Sequence, residues 1–290
     1  MEEEKELQDQ EKEEEINFKE RFGTIPKSIM KFKKSQELMD LIDWDNSDLG
    51  KIEGKAKPRG GGYAKNLRYS IYNPDQATFI IDYYTKPNSI ILDPFMGRAT
   101  RPLISLYLGR KYIGFDTSTE TVELNKRLIE SKFPNSKYKL YHSDGTEMVE
   151  LKNKSDACDA IFTCPPYYDS EVYSGEPGDL SYMTIESFNT KIVQLFYNCY
   201  RLLKPSSYER LDFNPMIVTV GSIRRGENGL IDMDCLFQNV ASNMGFTLHD
   251  KLLTENISPG VGFTFRRNHK YSYVAKNYET TLVFVKYQNF

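Results

Sequence analysis

The stretch SIILDPFMGRATRPLISL, residues 89–106, decides the fold. It opens on a short aliphatic run of the kind that forms a strand buried on both faces. The run stops at Asp93 and Pro94 and passes through Gly97, where a missing Cβ lets backbone come close to a ligand. Helical periodicity then begins, and it predicts a helix over about 100–108. Strand, tight turn and helix in that order form the first unit of a parallel α/β sheet.

Working outward, the rhythm continues. DQATFIIDYYT (75–85) predicts a helix, with Pro87 and Asn88 as the turn into the first strand. KYIGFD (111–116) is a strand, STETVELNKRLIESKF (118–133) a helix opened by a Ser/Thr cap, and KYKLYHSD (137–144) and CDAIFTC (158–164) are further strands. A long helix at 185–203 leads to the strand NPMIVTVGSI (214–223), and another helix is expected near 232–244. FTLHDKLLTEN (246–256) and ETTLVFVKY (279–287) read as two late strands antiparallel to each other. The pattern predicts one α/β domain with helices on both faces of a mostly parallel sheet.

Composition sets the remaining bounds. The 290 residues carry a net charge of −3, but residues 1–20 hold ten acids against three lysines, so the remainder is mildly basic. The acidic segment, 1–22, is expected to be a solvated helix or a disordered arm. Residues 23–69 end in a basic, glycine-rich loop (51–69), and the α/β domain occupies 70–290. No apolar run approaches a membrane span and no signal peptide opens the chain, which leads us to expect an intracellular protein. The cysteines, Cys158, Cys164, Cys199 and Cys235, lack CxxC spacing, and with three histidines in the chain no metal site is expected.

Ligands of such a sheet bind beyond the carboxyl ends of the strands, where strand order reverses. Three strand ends carry carboxylates: Asp93, Asp116 and Asp144. Asp116, 23 residues beyond Asp93, is placed to accept both hydroxyls of a ribose. Each aspartate, taken singly, is as well explained as a helix cap. A fourth strand end reads TCPPYY (163–168), in which Pro165 and Pro166 remove two backbone donors and stiffen the loop. Tyr167 offers a face on which a planar base can stack, or simply covers core.

At this point the motifs resemble a known family. DPFMGRAT (93–100) is similar to the first motif of the S-adenosylmethionine-dependent amino-methyltransferases of DNA, and TCPPYY to their catalytic motif. GRKYIGFD (109–116), HSDG (142–145), CYRLLKP (199–205) and MIVTVGSIRRG (216–226) resemble the intervening and later motifs, over roughly residues 66–287. The chain is most similar to phage and prokaryotic DNA methylases carrying CPPY.

The resemblance implies a Rossmann-like methyltransferase with a mostly parallel seven-stranded sheet, an antiparallel last strand and no large separate target-recognition domain. It implies S-adenosylmethionine as cofactor, with Asp93 and Gly97 at its methionine end, Phe95 beside it, Asp116 on the ribose and Asp144 on the adenine amine. YSIYNPDQATF (69–79) would help close that pocket. Cys164, Pro165, Pro166 and Tyr167 would form the target-base pocket, bordered by Tyr168 and the loop 169–184. The implied substrate is an exocyclic amine of cytosine or adenine in flipped-out DNA, in a bacterial or phage-infected cytoplasm and a restriction-modification setting. Specificity would rest on loops, on a protein partner or on a homodimer.

Two departures stand out: Ala99 replaces the family's second glycine, and Cys164 replaces its Asp, Asn or Ser. The thiol opens a second reading, cytosine-C5 methylation with Cys164 as covalent nucleophile and Glu171 with Arg224 or Arg225 against the ring. An RNA or protein methyltransferase and a non-catalytic binding module are rival readings of the same fold. Phosphate contacts are expected from 51–69 and from FTFRRNHKYSYVAK (263–276), through Arg266, Arg267, His269 and Lys270.

Overall fold

The computed structural model describes residues 27–43, 71–167, 180, 183–207, 212–224, 229–255 and 277–288. The acidic arm, the 51–69 loop, Tyr168, Glu171, Arg225, Arg266, Arg267, His269 and Lys270 lie outside the described residues, as does the side chain of Arg224.

One sheet organises the chain. Its strands are β1 (Ile29–Met30), β2 (Ile90–Asp93), β3 (Lys111–Asp116), β4 (Tyr138–His142), β5 (Ala160–Thr163), β6 (Pro215–Val220), β9 (Thr247–Glu255) and β10 (Tyr278–Val285), while β7 (Ile223–Arg224) and β8 (Leu230–Ile231) form a separate small hairpin. The order across the sheet is β1-β9-β10-β6-β5-β2-β3-β4. All pairings are parallel except those of β10, which runs antiparallel to both β6 and β9. The sheet therefore has eight strands where seven were expected. The added one, β1, has two residues and joins the edge beside β9. A two-residue strand is too short to display any periodicity, so its sequence carries no signal.

The helices are α1 (Gln36–Leu41), α2 (Pro74–Tyr84), α3 (Thr100–Tyr107), α4 (Thr119–Lys132), α5 (Ile185–Leu202) and α6 (Met233–Met244). Their starts are written in the sequence. Asn73 accepts from the amides of Asp75 and Gln76 with Pro74 at the first helical position, and Ser118, Thr184 and Asp232 cap α4, α5 and α6 in the same way. Among the described residues, no helix is long and apolar enough to cross a membrane.

Alternation along the central strands builds two cores. Ile91, Ala160, Phe162, Ile217 and Val283 face one side and pack with Phe79 and Ile80 of α2, Leu103 of α3 and Leu128 of α4. Leu92, Ile161, Met216, Val218 and Phe284 face the other and meet Phe188, Ile192 and Phe196 of α5 and Phe237 of α6. β5 and β6 are buried along their whole length, which is why they read as continuous apolar runs.

Chain order fixes the place of the site. After β2 the chain moves outward to β3 and β4, then returns to lay β5 on the opposite side of β2. The reversal lies between β2 and β5, so a crevice is expected beyond the carboxyl ends of those two strands. Asp93 ends one and Cys164 follows the other.

Candidate active site

Asp93 leaves β2 fully buried, and its carboxylate is occupied. Arg101 Nε donates to Oδ2 at 2.6 Å and the Tyr112 hydroxyl to the same oxygen at 2.8 Å. Thr163 Oγ1 donates to Oδ1 at 2.9 Å, and the Phe95 amide at 3.1 Å. A carboxylate has about four lone-pair sites, and all are taken. Through these bonds Asp93 ties β2, β3, β5 and α3 together beneath the crevice. Arg101 also donates to the Phe95 carbonyl and lies 5.5 Å from the Tyr72 ring centroid and 5.9 Å from that of Phe162.

The turn after β2 takes positive φ twice, at Gly97 (+54°) and at Ala99 (+56°). Asn125, fully buried on α4, holds both: its Nδ2 donates to the Gly97 carbonyl at 2.6 Å, and its Oδ1 accepts from the Ala99 amide at 2.8 Å. Asn125 thus does for the start of α3 what a capping side chain would do, since Ala99 has none to offer. An alanine at that φ is strained. Ala99→Gly is expected to raise folding stability by about 1 kcal/mol, read as a higher denaturant midpoint with an unchanged slope.

Asp116 ends β3 facing this turn. Oδ2 accepts from the Gly97 amide at 3.1 Å and Oδ1 from the Ser118 amide at 2.9 Å, leaving lone pairs on both oxygens at a partly exposed position. Burial raises its carboxyl from the ordinary 3.8 to about 6, with the two amides pulling the other way. Asp144, after β4, accepts from the Thr146 amide and hydroxyl at 2.8 and 2.7 Å and pairs with Lys191 Nζ at 2.8 Å. Lys191 bonds Glu147 at the same distance. The neighbouring Gly145 passes so close to the first turn that an added Cβ would lie 1.7 Å from the Pro94 carbonyl oxygen. Phe95 is half-buried and packs against the core on the α5 and α6 side of the sheet.

Across the switch point, Pro165 is buried and Cys164, Pro166 and Tyr167 are half-buried. Burial pushes the Cys164 thiol up to about 12 against the pull of Arg101, so it is a neutral S–H at physiological pH. Cys164 Sγ donates to the Tyr167 hydroxyl at 3.9 Å, and that hydroxyl donates to Glu279 Oε1 of β10 at 2.8 Å. Glu279 belongs to none of the sequence motifs, because ETTLVF reads only as a strand. Arg101, Asn125 and Lys191 also escape sequence reasoning, since polar residues on helices read as solvent-facing.

The structure thus brings Phe95, Gly97, Asp116 and Asp144 to one side of the crevice and Cys164, Pro165, Pro166 and Tyr167 to the other. Residues 2–127 match the DNA methylase family of the N6/N4 type, a span that includes Asp93, Gly97 and Asp116 and ends before Cys164. The type II methyltransferase M2.LlaDCHI of Lactococcus lactis subsp. cremoris is 44% identical over 45 residues, which is 16% of this chain and 17% of that protein. Thermus thermophilus TrmN superposes with a TM-score of 0.50 at 15% identity, over 74% of this chain and 49% of that one. A methyltransferase structure from Galdieria sulphuraria also gives 0.50, at 10% identity, over 75% of this chain and 86% of that one. The chain therefore spans about a sixth of the curated relative and half of TrmN, and its likeness to the solved structures is one of fold. Over residues 2–127, less than half of its length, the chain is thus similar to the N6/N4-type DNA methylases.

Proposed function

We propose that the protein transfers the methyl group of S-adenosylmethionine to an exocyclic amine of cytosine or adenine in DNA. The observation that carries this reading is the juxtaposition, across one switch point, of a ribose-type acceptor set with a stiff Pro-Pro-Tyr mouth.

The residues fit the cofactor. Asp116 keeps lone pairs for a vicinal diol, and Gly97 keeps the turn open beside it. Asp144 lies where an adenine amine would meet a carboxylate, and Phe95 supplies an apolar wall. The turn has no run of glycines and its Arg98 pairs with Glu120 at 3.3 Å, so it suits a nucleoside without phosphates. Bound there, the cofactor supplies an electrophilic methyl group on a sulfonium.

What remains for the protein is to prepare the amine. Its lone pair is delocalised into the ring, and holding the N–H groups out of the ring plane frees it. The carbonyl of Pro165, one residue beyond the last strand-end side chain, is one acceptor for such an N–H. The Tyr167 hydroxyl is tied to Glu279, which holds the ring in place as a wall of the base pocket. Covalent attack by Cys164 on a pyrimidine would require a thiolate, and burial opposes its formation. The amine reading is therefore preferred to the C5 reading. On it, Cys164→Ser keeps methyl transfer to DNA within about tenfold of the parent, whereas a nucleophile's removal would abolish it.

Asp116 gives the reading a pH signature. A ribose diol donates to the ionised carboxylate, so binding favours that form. In the free protein the carboxyl takes up a proton near about 6. Affinity for S-adenosylmethionine should be level above that value and weaken by about tenfold per pH unit well below it. Calorimetric titrations between about pH 5 and 8 measure this, and Asp116→Asn should bind more weakly and without that slope.

Specificity is proposed to reside in loops, in a partner protein or in a second copy of the chain.

A further inference from the structure

An exocyclic amine has two N–H groups, and drawing it out of conjugation is most effective when both are held. Pro165 offers one acceptor. Cys164 is a poor second, because a neutral thiol accepts weakly and its hydrogen is already given to Tyr167. The requirement for a second, stronger acceptor is unmet by the motif itself.

The last strand brings one to the same place. β10 runs antiparallel to β6, with Thr280 opposite Val220, so Glu279 lies just past the carboxyl end of β6. β5 is the next strand over, in register with β6 through Thr163 and Val218. Residues 164–167 cross the end of β6, and the Tyr167 hydroxyl reaches Glu279 Oε1 at 2.8 Å. With 3.9 Å from that hydroxyl to Cys164 Sγ, the carboxylate oxygen lies within 6.7 Å (2.8 + 3.9) of the sulfur. The residue is half-buried, at the rim of the crevice. Every donor in the chain of bonds points toward it: Cys164 donates to Tyr167, and Tyr167 to Glu279. One carboxylate oxygen is engaged by Tyr167, and among the described residues no bond is made by the other.

We propose that Glu279 is a catalytic residue of the target-base pocket: its carboxylate takes the second N–H of the amine, replacing from β10 the acceptor that Cys164 cannot be. This rests on the amine-methylation reading above. The nitrogen lone pair forms the new N–C bond and the C–S electron pair goes to the departing sulfur. The nitrogen then sheds one proton, and the carboxylate that held that N–H receives it and passes it to water. Charge and atoms balance with no further reactant.

The test uses the full chain, radiolabelled S-adenosylmethionine and an unmethylated duplex DNA pool made by polymerase copying, with single-turnover transfer and calorimetric cofactor affinity measured side by side. Glu279→Ala, and the space-filling Glu279→Met should alanine impair folding, are expected to slow transfer by about a hundredfold or more while cofactor affinity stays within about threefold. Cys164→Asn in the Glu279→Ala background restores an acceptor at the motif and should recover at least about tenfold of the loss. A purely structural role for Glu279 would give no such rescue. Transfer by Glu279→Ala within about threefold of the parent, or a loss that Cys164→Asn does not repair, overturns the proposal. A parent protein that binds the cofactor yet methylates no DNA overturns the amine reading and the proposal together, and is told apart by the parent measurement alone.

Discussion

Replacing Arg101 by methionine will cost about 3–5 kcal/mol of folding stability, the largest effect expected of any single change at the site. The side chain is buried and its guanidinium is the closest partner of the fully buried Asp93, at 2.6 Å. Methionine fills much of the space but leaves Asp93 with only Tyr112, Thr163 and one amide to balance its charge. An unpaired buried carboxylate is far costlier than an absent pair. Asp93→Asn combined with Arg101→Met removes both charges and should regain part of the loss. Denaturant unfolding of the two variants measures it, and equal losses would show that the ion pair is not the cause. Because Asp93 joins β2, β3, β5 and α3, the single variant should also lose cofactor affinity.

Gly145→Ala is the second large effect. The added Cβ would lie 1.7 Å from the Pro94 carbonyl oxygen and 2.6 Å from its carbon, so the obstacle is backbone that cannot rotate away. One of the two loops must move by more than an ångström to reach van der Waals contact, and these loops carry Asp144 on one side and Phe95 and Gly97 on the other. Stability should fall by about 1–3 kcal/mol, and cofactor affinity by about ten- to a hundredfold. Thermal unfolding and calorimetry separate the two losses. An alanine variant with unchanged cofactor affinity would mean that the loops are not held together for binding.

Much of the fold was legible because buried parallel strands and capped helices leave strong local patterns. IILD, AIFT and PMIVTV are apolar runs bounded by turns, and Asn73, Ser118, Thr184 and Asp232 announce the helices that follow them. What escaped was short or non-local. β1 pairs through two residues with a strand more than 200 positions away, and the β7–β8 hairpin is as brief. The site was legible as a set of strand ends but not as a set of roles. Asp93 looks like its two neighbouring aspartates in sequence, yet it is fully buried with four donors on its carboxylate while Asp116 and Asp144 stay partly exposed. Arg101 and Asn125 reveal themselves only when α3 and α4 are packed, because the turn they serve is closed by tertiary contacts. Glu279 lies 112 residues from the tyrosine it meets, and no spacing rule spans that distance.

Cys164 illustrates the same limit from the other side. Its sequence context raised a choice between nucleophile and bystander, and its surroundings favour the second. A half-buried thiol with its proton committed to Tyr167 and its acidity suppressed is not poised to attack carbon. The proposed amine chemistry then needs acceptors from elsewhere, and it assigns that part to Pro165 and Glu279.

The most direct test of this account is mass spectrometry of nucleosides from duplex DNA incubated with the full chain and methyl-labelled S-adenosylmethionine. The account predicts label in N4-methylcytosine or N6-methyladenine, formed by the parent and by Cys164→Ser alike. Label in 5-methylcytosine that disappears with Cys164→Ser would contradict it.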